Sequence, residues 1–257
     1  MGRVATSIGL ARSVAIYYGI PFRRRRLQRL YAQFIGPGSL CFDIGAHVGN
    51  RIRCWRALGA RVVAVEPQSN AFRFLVRCYS RDADVSLVRC AVGRTSGMTT
   101  LRISELNPTV ASVSADWINR VSTAPDFAGV TWNKTESVEQ RTVDELITAY
   151  GRPDFLKIDV EGHEAEVLAG LSTAVAALSF EYIAATRDVA IACVDRLAEL
   201  GDYRYNISHG ESHRLALREW VDRTGIKKLI AGLPAQSGSG DIYAQLGGSF
   251  AGGSAKQ

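Results

Sequence analysis

The 257-residue chain has no uninterrupted apolar run approaching the ~18 residues that a membrane-spanning helix needs, so no such helix is expected. Its N-terminal stretch VATSIGLARSVAIYYGI is only mildly apolar and is broken by Arg12. It also lacks a convincing cleavage site, so no signal peptide is read there. Cysteine is scarce: Cys41, Cys54, Cys78, Cys90 and Cys193 make an odd number without a CxxC pair. That argues against a disulfide framework or a zinc site and for a reducing, cytoplasmic compartment. No internal repeat is present. Acid is absent from residues 1–42, which carry seven arginines of a chain whose formal net charge is +6, so the remainder sums to about −1. A nucleic-acid groove across that remainder is therefore not expected. The run Arg23, Arg24, Arg25, Arg26 is compatible with a weak contact to an anionic membrane surface, peripheral to the bilayer, or to an acidic partner. A solvated helix edge is the commoner fate of such runs.

What is present is a body large enough for a full core: 47% of residues are hydrophobic, consistent with one domain plus an appendage. In LQRLYAQF, Leu27, Leu30, Tyr31 and Phe34 fall at helical spacing, and GPG (36–38) ends the helix. SLCFDIG then reads as a strand buried on both faces, followed by a helix with Ile52, Trp55 and Leu58 on one side. RVVAVEP (61–67), a helix through AFRFLVRCY, and VSLVRCAV (85–92) continue the alternation. After an interruption at 97–141 it resumes with the helix TVDELITAY and the strand DFLKIDVEG (154–162). The helix HEAEVLAGL, the strand ALSFEYIAA and the helix VAIACVDRLAEL follow, and YRYNIS and DIYAQL are the last candidate strands. Strands alternating with helices, the strands nearly all apolar, predict a parallel sheet covered by helices. The expected organisation is a basic helical arm (1–35), a main domain (36–246) and a Gly/Ser-rich disordered tail (247–257). Within the main domain, MTTLRIS and SVEQRTV read as strand pieces bounding an insertion or substrate lid at 97–141.

The chemistry concentrates at predicted strand ends, where ligands sit in doubly wound sheets. FDIGAHVGN (42–50) runs from the first strand into two glycines four apart: Gly45 lets the backbone turn without a Cβ, and Gly49 lets the next helix approach a ligand. The second strand ends at Glu66, placed as an acid that accepts both hydroxyls of a ribose is placed relative to a glycine turn. Together they describe an adenosine site. A dinucleotide normally uses GxGxxG to seat a pyrophosphate on a helix N-terminus. Here the pattern is D-x-G-x-x-x-G, and Asp43 repels a pyrophosphate while suiting the ammonium and sulfonium of S-adenosylmethionine.

FDIGAHVGN, VVAVEPQSN and DFLKIDVEGHEAEVLAGL, in that order, resemble the FkbM-type family of class I methyltransferases. Residues 156–170 are similar to that family's last signature; RTVDELI and GDIYAQL also resemble family positions, and the likeness runs over ~36–246. The resemblance implies a Rossmann-like, seven-stranded, mostly parallel sheet with helices on both faces. It also implies S-adenosylmethionine as cofactor and O-methylation of a hydroxyl on a sugar or natural-product acceptor. Carried over, Asp43 and Gly45 lie under the methionine part of the cofactor, Glu66 takes the ribose, and Pro67 runs along the adenine. Cys90 and Ala91 face the adenine edge, and the turn residues Ala46, His47 and Asn50 complete the cofactor set, although His47 is equally explained as a helix-opening polar residue.

The fourth strand ends at Asp159, with Glu161, His163 and Glu164 beyond it; in this fold that edge faces the transferable methyl and the acceptor. Methylating an alcohol requires removal of its proton, by a base or through a metal that lowers its pKa. Asp159, Glu161 and His163 are the catalytic candidates. His163 has an intrinsic pKa suited to a base and is equally explained as a first-turn polar residue; Glu161 and Glu164 also fit first-turn acids. Asp159 and Glu181 at the end of the fifth strand could hold one Mg²⁺, or be two unrelated acids. Lys157 reads as structural, and Trp117, Phe127 and Trp132 in the insertion suit either a sugar ring or packing. Two rivals remain at this stage: a nicotinamide-dependent oxidoreductase, disfavoured by the missing GxGxxG, and a non-catalytic module that docks through its basic arm.

Overall fold

The computed structural model describes Gly9 and residues 23–247; the rest of the arm and the tail from 248 onward lie outside the described residues. Chain order begins with α1 (Arg23–Tyr31), β1 (Leu40–Ile44), α2 (Asn50–Arg56), β2 (Arg61–Val65), α3 (Ser69–Tyr79) and β3 (Val85–Val88). A middle section follows, with β4 (Ala91–Val92), β5 (Gly97–Ile103), α4 (Ala115–Val121) and β6 (Lys134–Arg141). The chain then continues through α5 (Val143–Tyr150), β7 (Phe155–Ile158), α6 (Glu164–Ala169), β8 (Ala177–Ile183), α7 (Arg187–Leu200), β9 (Tyr203–His209), α8 (Arg223–Ala231) and β10 (Ser239–Leu246).

Seven strands form one sheet in the order β3-β2-β1-β7-β8-β10-β9, parallel except for β10, which runs antiparallel to both β8 and β9. The near-continuous apolar runs follow from this position: β1 and β7 are buried at every residue because helices cover both faces. The order reverses between β1 and β7, so the carboxyl ends of β1, β2, β7 and β8 surround one crevice, and β10 enters at the same edge. Register brings the charged residues together. Asp43 lies between Ala64 on β2 and Lys157 on β7, and Glu181 lies opposite Asp241 on β10.

The run 85–92 divides rather than forming one strand. Val85–Val88 stays at the edge of the main sheet, half-buried, while Ala91–Val92 pairs in parallel with Gln140–Arg141 in a second, three-stranded sheet of order β4-β6-β5. Apolar content alone cannot tell which ladder an edge segment joins. In α1, Leu27, Leu30 and Tyr31 are buried as the spacing predicts, and Tyr31 meets Trp55 and Phe155 edge-on at 5.2 and 5.5 Å. Arg23 departs from the expected surface run: it is 7% exposed and ion-paired to Glu211, leaving Arg24, Arg25 and Arg26 on the outer face. Among the described residues, no helix is long and apolar enough to cross a membrane.

Candidate active site

The crevice is a cleft of about 1140 Å³ of empty space, measured out to its open mouth. Gly45, His47, Asn50, Glu66, Pro67, Cys90 and Ala91 all line it, as do Asp159, Glu161, His163 and Glu181. The turn after β1 is tight for a specific reason. Gly45 has φ 87°, and a Cβ there would stand 1.8 Å from the carbonyl oxygen of Asp159, which β7 presses against it. Gly45→Ala is therefore expected to destabilise the fold by more than about 2 kcal/mol, combining a left-handed residue with a backbone clash. A urea titration checks this; an unchanged midpoint in the variant contradicts the close approach.

Gly49 serves differently from the expectation. It does not line the cleft, and with φ 74° a Cβ would meet Tyr79 at 2.8 Å and Leu75 at 2.9 Å, so it admits α3 rather than a ligand. Ala46 and Asp43 also sit behind the lining, 2% and 1% exposed. Both Asp43 oxygens lack a hydrogen-bond partner, and burial pushes its carboxyl up to about 6 against the pull of Arg51. Glu66 is held from below: its two oxygens accept the backbone N–H groups of Gln68 (2.8 Å) and His47 (2.9 Å). Each oxygen keeps lone pairs for a ligand. Burial outweighs these bonds and raises Glu66 to about 7. Burial also lowers the His47 ring to about 4, so it is neutral at neutral pH.

At the other end of the cleft, Asp159, Glu161 and Glu181 bring carboxylate oxygens within 4.8 Å of one another, so Glu161 joins the pair expected from the sequence. Burial works to raise Asp159, but the Lys157 ammonium at 3.6 Å and the Arg51 guanidinium at 3.2 Å outweigh it and hold the carboxyl below its ordinary range. Lys157 also acts to lower Glu161 and Glu181 but is outweighed there. Burial first, then the Asp159 charge, pushes both well above the usual carboxylate range. Glu161 has φ 54°, uncommon for a residue with a side chain. The turn is fastened by Ser112 Oγ, which donates to the Glu161 carbonyl at 2.7 Å, and by Glu164, whose Oε1 accepts the N–H groups of Val160 and Gly162. His163 occupies the N-cap position of α6 without a side-chain capping bond; burial lowers its pKa, and its Nε2 is buried without a partner.

Several cleft residues were not identified from the sequence. Arg51, in NRIRCWR, occupies the first turn of α2 and lines the cleft at the strand ends. Asp241 lay in GDIYAQL, where an acid inside an apolar strand was the available signal; it pairs with the fully buried Lys157. Glu211, from the loop after β9, and Leu101, Pro108, Thr109, Ala111 and Val113, from the insertion, complete the wall. Trp117, Phe127 and Trp132 do not line the cleft. They form a separate small core, with Trp117 and Phe127 edge-on at 5.4 Å.

A seven-stranded sheet with one antiparallel strand, a glycine turn after β1 and an acid ending β2 beside a switch-point cleft define the class I methyltransferase fold. The chain belongs to the FkbM methyltransferase family: the model of the methyltransferase FkbM domain matches residues 43–204. It is 27% identical over 153 residues to the hexuronic acid methyltransferase AglP of Haloferax volcanii, an alignment covering 59% of this chain and 58% of that protein's length. Among solved structures it is similar to a TehB-like SAM-dependent methyltransferase from Corynebacterium glutamicum, with a TM-score of 0.46, 10% identity and coverage of 91% of this chain and 93% of that one. It is also similar to Aeropyrum pernix fibrillarin with natively bound S-adenosyl-L-methionine, with a TM-score of 0.44, 11% identity and coverage of 82% and 68%.

Proposed function

We propose that this protein is an S-adenosylmethionine-dependent O-methyltransferase acting on a hydroxyl of a sugar or natural-product acceptor. The observation that carries the reading is the division of one cleft into two chemically distinct ends, a ribose-type acid beside a glycine turn and a set of proton-handling groups beyond β7. Family membership supports methyl transfer, and the hexuronic acid relative supports a sugar as acceptor class.

The residues at the first end fit the cofactor, because Glu66 retains acceptor capacity and Asp43 is a buried carboxylate without a partner. Glu66 takes the ribose hydroxyls, and Pro67, Cys90 and Ala91 border the adenine. Bound S-adenosylmethionine supplies an electrophilic methyl group. At the other end Asp159, kept ionised by Arg51 and Lys157, accepts a hydrogen bond from a neighbouring hydroxyl of the acceptor and so leaves the reacting hydroxyl to face His163. His163, neutral at neutral pH, takes the proton. Holding donor and acceptor in contact supplies much of the rate.

Asp159 Oδ2 already faces two cations, which favours proton handling over a divalent ion at this cluster. Turnover is therefore expected to survive exhaustive chelation. Loss on chelation with recovery in Mg²⁺ contradicts the metal-free assignment. The activity itself is tested by incubating methyl-labelled cofactor with a panel of sugars, uronic acids and polyketide alcohols. Transfer of label to oxygen is the expected result; transfer only to nitrogen or carbon overturns the O-methyl reading.

A further inference from the structure

A second, much smaller cavity borders the acceptor end of the cleft, walled in part by Trp117, Gly162, Glu164, Glu181 and Thr186. Two of these residues carry a buried polar atom with no hydrogen-bond partner: the indole Nε1 of Trp117 and Oε2 of Glu181. Trp117 is 2% exposed. An indole N–H can only donate, and a buried group left unmatched costs about 1–3 kcal/mol, so two orphans bordering one cavity require an explanation. The space holds about one water molecule, and Glu164, Glu181 and Thr186 are among its lining together with the Trp117 indole, which meets the two conditions of room and polar partners that an internal water needs. A water molecule both accepts from an indole N–H and donates to a carboxyl oxygen.

We propose that one internal water bridges Trp117 Nε1–H to Glu181 Oε2, and that through it Trp117 acts as a positioning residue for the Glu181 carboxyl. Local geometry is built around this indole. A Cβ on Gly162 would stand 2.1 Å from the Trp117 ring, so the glycine after Glu161 is what lets the indole lie over the turn. Trp117 itself is seated by Ser114, which caps α4 by accepting the Trp117 backbone N–H at 3.2 Å. The insertion thus reaches the acceptor end twice, through Ser112 on the Glu161 carbonyl and through the Trp117 indole toward Glu181. Glu181 lines both the cleft and the small cavity, so its carboxyl spans the two. The positioning role rests on the methyl-transfer reading above; the water site does not.

Trp117→Phe removes the N–H and keeps an aromatic ring, and Glu181→Gln tests the other side of the bridge. In the ¹H–¹⁵N spectrum the Trp117 indole, identified by its loss in Trp117→Phe, is expected to show a cross-relaxation signal to a long-lived water and to shift in Glu181→Gln. Both variants should lower kcat, Trp117→Phe by about tenfold, the worth of one hydrogen bond, with unchanged affinity for S-adenosylhomocysteine. Their combined effect should be less than the product of the two. An indole without a water signal and unmoved by Glu181→Gln overturns the bridge, whether or not any acceptor is turned over. A water signal accompanied by fully multiplicative kinetic effects overturns the positioning role.

Discussion

His163→Ala is expected to lower kcat by ~10²–10⁴-fold, the usual contribution of a positioned general base, while affinity for S-adenosylhomocysteine stays unchanged. An alkyl hydroxyl is too weak an acid to ionise unaided near neutral pH. Of the groups at the β7 end, Asp159 is too strongly held by Arg51 and Lys157 to be a good proton acceptor. Burial and the Asp159 charge push Glu161 and Glu181 well above the ordinary carboxylate range, which disfavours the ionised form a base requires. His163 lines the cleft, burial keeps it neutral, and Nε2 is unpartnered. Asp159→Asn is expected to damage turnover as well, because the amide cannot replace an ionised acceptor. Single-turnover kinetics with saturating cofactor measures both. Near-wild-type turnover in both variants removes the β7 edge from the mechanism and leaves the insertion to supply the base.

Glu66→Ala is expected to weaken binding of S-adenosylhomocysteine by about 10²-fold or more, since it removes two hydrogen bonds to a charged group, each worth about 1.5–3 kcal/mol. The same residue gives a pH signature. In the empty cleft Glu66 titrates at about 7, and the ribose hydroxyls bind its ionised form, so the ligand lowers that pKa. Affinity should be full above pH 7 and fall as pH drops below it, with proton uptake by the empty site as the cause. Glu66→Gln, which keeps the volume and one acceptor, should bind weakly and lose the pH dependence centred near 7, leaving only what Asp43 contributes near 6. Wild-type affinity that is flat from pH 8 to about pH 5 contradicts the ribose assignment, because a carboxylate clamp of this kind must titrate.

The parallel strands were legible because burial on both faces leaves almost no polar residue in LCFDI, RVVAV or FLKI. Glu66 and Asp159 were legible for the complementary reason: an acid closing such a run is conspicuous. Elements whose identity depends on partners were not. Val85–Val92 gives no sign that it divides between two sheets. α8 has a glycine in its first turn and depends on Asp222, which accepts the Gly225 N–H, for its start. Arg51 and Trp117 were obscured because their roles come from what long-range packing sets beside them: Asp159, far along the chain from Arg51, and the glycine turn beneath the indole. Gly49 was legible as a required glycine but not for its reason, since the demand comes from Tyr79 and Leu75 on α3.

Calorimetric titration of the wild-type protein with S-adenosylhomocysteine, run beside NADH, asks which cofactor the cleft holds. Saturable binding of S-adenosylhomocysteine at one site per chain is expected, with no heat from NADH beyond dilution. Binding of NADH with no binding of S-adenosylhomocysteine would contradict the S-adenosylmethionine assignment.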